Sequence, residues 1–172
     1  NKEDGGNRRF ILCTNNENNI CTEVTYPRIE KVIKGYSNIK GIPANLKYYT
    51  QTFVPVVTSD NDKRELVNRS TEMLCIAENC FELVRERDNH SDFSIFKNAK
   101  KQMAIIYDED SICECIDYLN EHKSELNTII YVFSYDHTYD SEDFEGLTIN
   151  FSVKPIPEAI INVYRKISKM KK

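Results

Sequence analysis

The sequence of 172 residues has no long apolar stretch and no signal-peptide pattern, so neither membrane insertion nor secretion is expected. Glycine is scarce: five residues, scattered, which form no glycine-rich loop. There is no Asp-Pro pair, no internal repeat and no low-complexity tract. Paired Cys-x-x-Cys blocks are missing too. Cys113-x-Cys115 and Cys75-x4-Cys80 have no histidine close in sequence, so a zinc site is not expected. His90, His122 and His137 fall in turns or at helix ends, and their spacing indicates no nucleophile–base set.

What is present points to a packed α/β protein. Apolar residues make up 40% of the chain, an ordinary share that supports a core and argues against disorder. The length fits one domain, or a piece of one fold joined to a second compact unit. The first residue is Asn1 rather than Met, which suggests a chain cut from something longer. Of six cysteines, Cys13, Cys21, Cys75, Cys113 and Cys115 lie in segments that read as strands or helices, so free thiols in a cytoplasmic protein are expected. The net charge of −4 is unevenly spread. Asp108 to Glu145 is dominated by acids, with Lys123 its only lysine or arginine; Lys154 to Lys172 is basic, with Glu158 its only acid. The basic end suits phosphate, although a solvated helix face with a frayed tail would carry the same pattern.

Periodicity and punctuation give the order of elements. Arg8–Thr14 reads as a strand whose centre, Phe10-Ile11-Leu12-Cys13, is apolar without alternation, as for a strand covered on both faces of a central sheet. Asn15–Asn19 reads as a turn that caps a helix. The helix comes in two pieces, restarted by Pro27 with Thr25 or Tyr26 at the cap, with Ile29, Val32 and Ile33 on one face. Gly35 and Gly41 end this part. Leu46–Val54 is expected as a strand closed by Pro55.

Asp60–Ala77 is expected as a helix, capped by Asp60 or Asn61 and buried along Leu66, Val67, Met73, Leu74 and Ala77. Phe81–Arg87 and Asp92–Phe96 read as a hairpin around Asp88-Asn89-His90-Ser91. Met103–Tyr107 is an apolar strand. A helix capped by Asp110 or Ser111 follows, with Ile112, Cys115, Ile116 and Leu119 inward. Thr128–Phe133 is a strong strand and Leu147–Val153 a weaker one. A final helix opens at Pro157 and buries Ile160, Ile161, Val163, Tyr164 and Ile167. Strands alternating with helices, plus one hairpin, predict a mixed α/β sheet covered by helices, with Met103–Phe133 a strand–helix–strand crossover between parallel strands. The internal boundary falls between Gly35 and Ala44, dividing 1–41 from 42–172.

One acidic cluster and one aromatic stripe invite a site. Asp108, Glu109 and Asp110 after an apolar strand have the chemistry to ligate a divalent ion, but more often such residues cap the next helix. The aromatic stripe Tyr48, Tyr49 and Phe53 suits base stacking, though such strands usually pack.

Four separated blocks carry a family resemblance. They are Asn7-Arg8-Arg9-Phe10-Ile11-Leu12 with Thr25-Tyr26-Pro27-Arg28-Ile29; Asn45-Leu46-Lys47-Tyr48-Tyr49 with Phe53-Val54; Thr71-Glu72-Met73-Leu74-Cys75 with Cys80-Phe81-Glu82; and Lys154-Pro155-Ile156-Pro157-Glu158-Ala159-Ile160 with Val163-Tyr164. Jointly the chain resembles the C-terminal portion of the adenine-specific DNA methyltransferase (Mod) subunits of type III restriction–modification systems. The resemblance implies a Rossmann-like methyltransferase edge over 1–41, followed by a compact C-terminal α/β domain over 42–172.

The family's Asp-x-Phe-x-Gly-Ser-Gly loop for S-adenosylmethionine and its Asp-Pro-Pro-Tyr segment for the flipped adenine do not occur here, so the chain is expected to be inactive alone and to hold no cofactor. In the parent, an acid at the end of the second strand bonds the cofactor ribose. Glu17 is the nearest acid, with Asn15 or Asn16 as substitutes, and helix capping is the competing role. The same resemblance implies DNA as the parent's partner, a Mod homodimer, and docking of a restriction (Res) subunit. Arg165, Lys166 and Lys169, together with Lys171 and Lys172, are the residues expected to touch DNA backbone. The alternative is an autonomous α/β protein–protein interaction module that binds neither cofactor nor DNA.

Overall fold

The computed structural model describes Gly5 and residues 8–51, 60–133, 141–157 and 160. Two units divide the chain, unit 1 over Asn1–Phe53 and unit 2 over Val54–Lys172, whereas the sequence suggests a division between Gly35 and Ala44.

In unit 1 the expected strand Arg8–Thr14 does not form, and Phe10–Cys13 belongs to no sheet. Phe10, Ile11 and Leu12 are 80%, 71% and 69% exposed. An apolar run becomes a doubly covered strand only when neighbouring strands and two helical layers are supplied, and unit 1 supplies neither. A short 3₁₀ turn (Glu17–Asn19) leads into a single π-type turn (Ile20–Thr25) and then helix α1 (Tyr26–Lys34). Pro27 lies in the first turn of α1, where its missing N–H costs nothing, and Thr25 stands at the cap position without a side-chain capping bond. Tyr26, Ile29 and Ile33 are half-buried, whereas Val32 is exposed, contrary to the expected stripe.

Strands β1 (Gly35–Tyr36) and β2 (Ile39–Lys40) then make a minimal antiparallel hairpin, with Gly35 opposite Lys40 and Tyr36 opposite Ile39. Two glycines fold it back onto the end of α1. Gly35 has φ +94°, and a Cβ on Gly41 would lie 2.2 Å from the Ile33 carbonyl oxygen. The Ile42 amide donates to the Val32 carbonyl at 2.9 Å, closing the unit. Leu46–Gln51 carries no strand, and Phe53 and Val54 lie outside the described residues.

Unit 2 is built on a five-stranded mixed sheet. Helix α2 (Asp60–Glu78) comes first, and the caps expected of Asp60 or Asn61 lie outside the described side chains. Its C-terminus closes through Asn79 in the left-handed region, with the Cys80 amide donating back to the Cys75 carbonyl at 3.1 Å. Then come β3 (Glu82–Arg85), β4 (Phe93–Lys97), β5 (Lys101–Ile106), helix α3 (Ile112–Glu121), β6 (Asn127–Val132) and β7 (Phe151–Lys154). Strand order is sequential, β3-β4-β5-β6-β7. The first three strands pair antiparallel and the last three parallel, with α3 forming the β5–β6 crossover. A bulge interrupts the β3–β4 register between Leu83 and Arg85.

Alternation along the central strands divides the core by face. Met103, Ile105, Ile129, Tyr131 and Phe133 pack with Leu66, Val67, Leu74 and Cys75 of α2, and with Ile156 and Ile160. Ala104, Ile106, Ile130 and Val132 pack with Cys115 and Leu119 of α3, and with Phe144 and Leu147. This is a sheet covered on both sides, so β5 and β6 read as continuous apolar runs. On α2 the buried row is Leu66, Ser70, Leu74 and Glu78, while Met73 and Ala77 face outward. Of the final helix only Ile160 is described, and it is buried; Ile161, Val163, Tyr164 and Ile167 lie outside the described residues.

Candidate functional site

The turn that the sequence singles out is held by its own side chains. Asn16, Asn18 and Asn19 all adopt left-handed φ values, a conformation asparagine tolerates better than most residues. The Asn16 Oδ1 accepts from the Cys21 and Thr22 amides at 2.9 and 3.2 Å. Asn15 Oδ1 accepts from the Glu17 amide at 3.2 Å, and Asn19 Nδ2 donates to the Glu23 carboxylate at 3.2 Å. The oxygens of Asn15 and Asn16 therefore cap backbone that the following turn leaves unpaired. Glu17 is exposed, with no partner for its carboxylate among the described residues.

A second constellation, absent from the sequence reading, lies where the α2 end meets the sheet. Glu78 is only 6% exposed. One carboxylate oxygen accepts from Lys101 Nζ at the start of β5. The other accepts from Tyr131 Oη of β6 and Lys154 Nζ of β7, both at 2.7 Å. Lys101 shares its face with Met103 and Ile105, and Tyr131 pairs with Lys154 across β6 and β7, so all three donors project onto the α2 side. Burial pushes the Glu78 carboxyl up, but the hydrogen bonds from Lys101, Lys154 and Tyr131 outweigh it and bring the pKa down to about 2. Burial, then the bond to Glu78, raises the Tyr131 phenol above its ordinary range. At neutral pH the carboxylate stays ionised and the phenol keeps its proton. The group binds charge and ties three strands to one helix; it has no proton to move. Its sequence signal was a carboxylate four residues after Leu74, on the apolar row of α2.

Two arginines stitch the β3–β4 hairpin. Arg85 stacks 3.7 Å over the Phe93 ring and donates to the Phe93 carbonyl at 2.6 Å, to Asp88 at 3.0 Å and to Ser91 Oγ. Arg87 lies 4.8 Å over Tyr107 and pairs with Asp92 at 3.3 Å. Tyr107 shares a 2.8 Å hydrogen bond with Thr71, and burial raises its pKa. His122 stacks on Tyr118 at 4.1 Å, His90 sits in the hairpin turn, and His137 lies outside the described residues.

Asp108 caps the turn before α3, its side chain accepting from the Asp110 amide at 3.1 Å. Among the described residues no three His, Cys, Asp or Glu side chains are grouped to hold a metal ion. All six cysteines are free: Cys75, Cys80 and Cys115 are buried, Cys21 is partly so, and Cys13 and Cys113 are exposed. Burial pushes the Cys115 thiol up to about 12, so it is inert. Arg165, Lys166 and Lys169 lie outside the described residues.

The class defined by these observations is an α/β protein with a helix-covered mixed sheet. Comparison with family models, curated proteins and solved structures returns no match at any of the three levels.

Proposed function

We propose that the chain is the C-terminal part of a type III Mod-like adenine-specific DNA methyltransferase, acting in the cytoplasm, with unit 2 as its assembly domain. The observation that carries the assembly role is the state of unit 2's polar groups: Glu78, Lys101, Lys154, Arg85 and Arg87 are engaged in holding the sheet, and none is left poised for chemistry. No described helix is long and apolar enough to cross a membrane. In the parent, unit 1 would join a Rossmann-like sheet, and the uncovered Phe10-Ile11-Leu12 run is the segment that such a sheet would cover.

S-adenosylmethionine needs an acceptor for its two ribose hydroxyls. Glu17 offers a carboxylate without a partner among the described residues; Asn15 and Asn16 suit it less, because their oxygens already accept backbone amides. DNA backbone contact is assigned to Arg165, Lys166 and Lys169, and the partners are a second Mod copy and a Res subunit. The chain alone is expected to give no calorimetric signal with S-adenosylmethionine, and clear micromolar binding would contradict that. Extending the chain with the upstream residues of its gene tests the whole reading: cofactor binding and adenine methylation should appear together.

A second reading is an autonomous interaction module without methyltransferase activity. It is favoured by the unformed Arg8–Thr14 strand: among its described residues unit 1 has only the two-residue β1–β2 hairpin, and no strand end leads into the Asn15–Asn19 turn for a cofactor to sit on. An extended chain that forms a stable complex with a protein but methylates nothing would decide for it.

A further inference from the structure

We draw no further inference here: the strongest candidate, the outer edge of strand β3 at the end of the unit 2 sheet, where Leu83 and Val84 are 49% and 42% exposed, carries nothing because nothing in the structure shows what covers it.

Discussion

Units 1 and 2 use similar apolar segments to opposite effect. Phe10-Ile11-Leu12-Cys13 in unit 1 and Met103–Ile106 in unit 2 are both unbroken apolar runs, yet the first is exposed and strandless while the second has every residue fully buried in mid-sheet. None of the described residues of unit 1 is buried, whereas unit 2 packs two apolar faces against helices on either side of its sheet. The difference teaches that an apolar run states a demand for cover on two faces. Only the sheet neighbours and the helical layers meet it, and among the described residues they stand around β5 and β6.

The largest effects should separate the units. Ile105→Ala removes a fully buried side chain between β4 and β6 and should cost unit 2 about 2–5 kcal/mol by urea denaturation, whereas Ile11→Ala should stay within ~0.5 kcal/mol. Equal costs would break the comparison. Glu78→Gln comes next, at about 2–3 kcal/mol. That is below the ~3–5 kcal/mol of a fully buried pair, because Lys101 and Lys154 keep some access to water.

The same carboxylate sets an acid limit. Its folded pKa, about 2, lies below its ordinary value of 4.5, so its contribution is complete above pH 4.5 and is lost as pH falls toward 2. Acid titration of Glu78→Gln should show a shallower loss over that window than the wild type. An identical loss would mean that other carboxylates carry it.

Smaller effects sharpen the picture. Thr128 is fully buried and its Oγ1 has no hydrogen-bond partner among the described residues, so Thr128→Val should raise unit 2 stability by about 1 kcal/mol. A destabilised variant would show that the hydroxyl is satisfied. Asn16→Ala removes the acceptor of two amides and should cost unit 1 about 1 kcal/mol locally, seen as faster hydrogen exchange at Cys21 and Thr22 with unit 2's unfolding midpoint unchanged.

How far the sequence could be read follows the same division. In unit 2 the hairpin around Asp88–Ser91, the apolar strands β5 and β6, helix α2 and the α3 crossover were all legible, because local pattern and tertiary surroundings agree there. The buried row of α2 was misassigned on one side. Ser70 and Glu78 hold core positions in place of Met73 and Ala77, since Ser70 Oγ donates to the Leu66 carbonyl and Glu78 is met by three donors. A polar residue with its hydrogen bonds met can occupy an apolar row, and sequence alone does not display the donors, which come from β5, β6 and β7. In unit 1 the turn chemistry of Asn15–Asn19 and the Pro27 restart were readable because they are local. The strands expected at Arg8–Thr14 and Leu46–Val54 do not form over residues 8–14 and 46–51, because pairing partners are a nonlocal property that an apolar run does not display.

The contrast between a cored unit and an uncovered one is tested most directly by amide hydrogen exchange along the whole chain. Residues 103–106 and 129–132 should exchange only on global unfolding of unit 2, with residues 10–13 exchanging near the rate of an unstructured peptide. Protection over Phe10–Cys13 matching that of Met103–Ile106 would contradict the account.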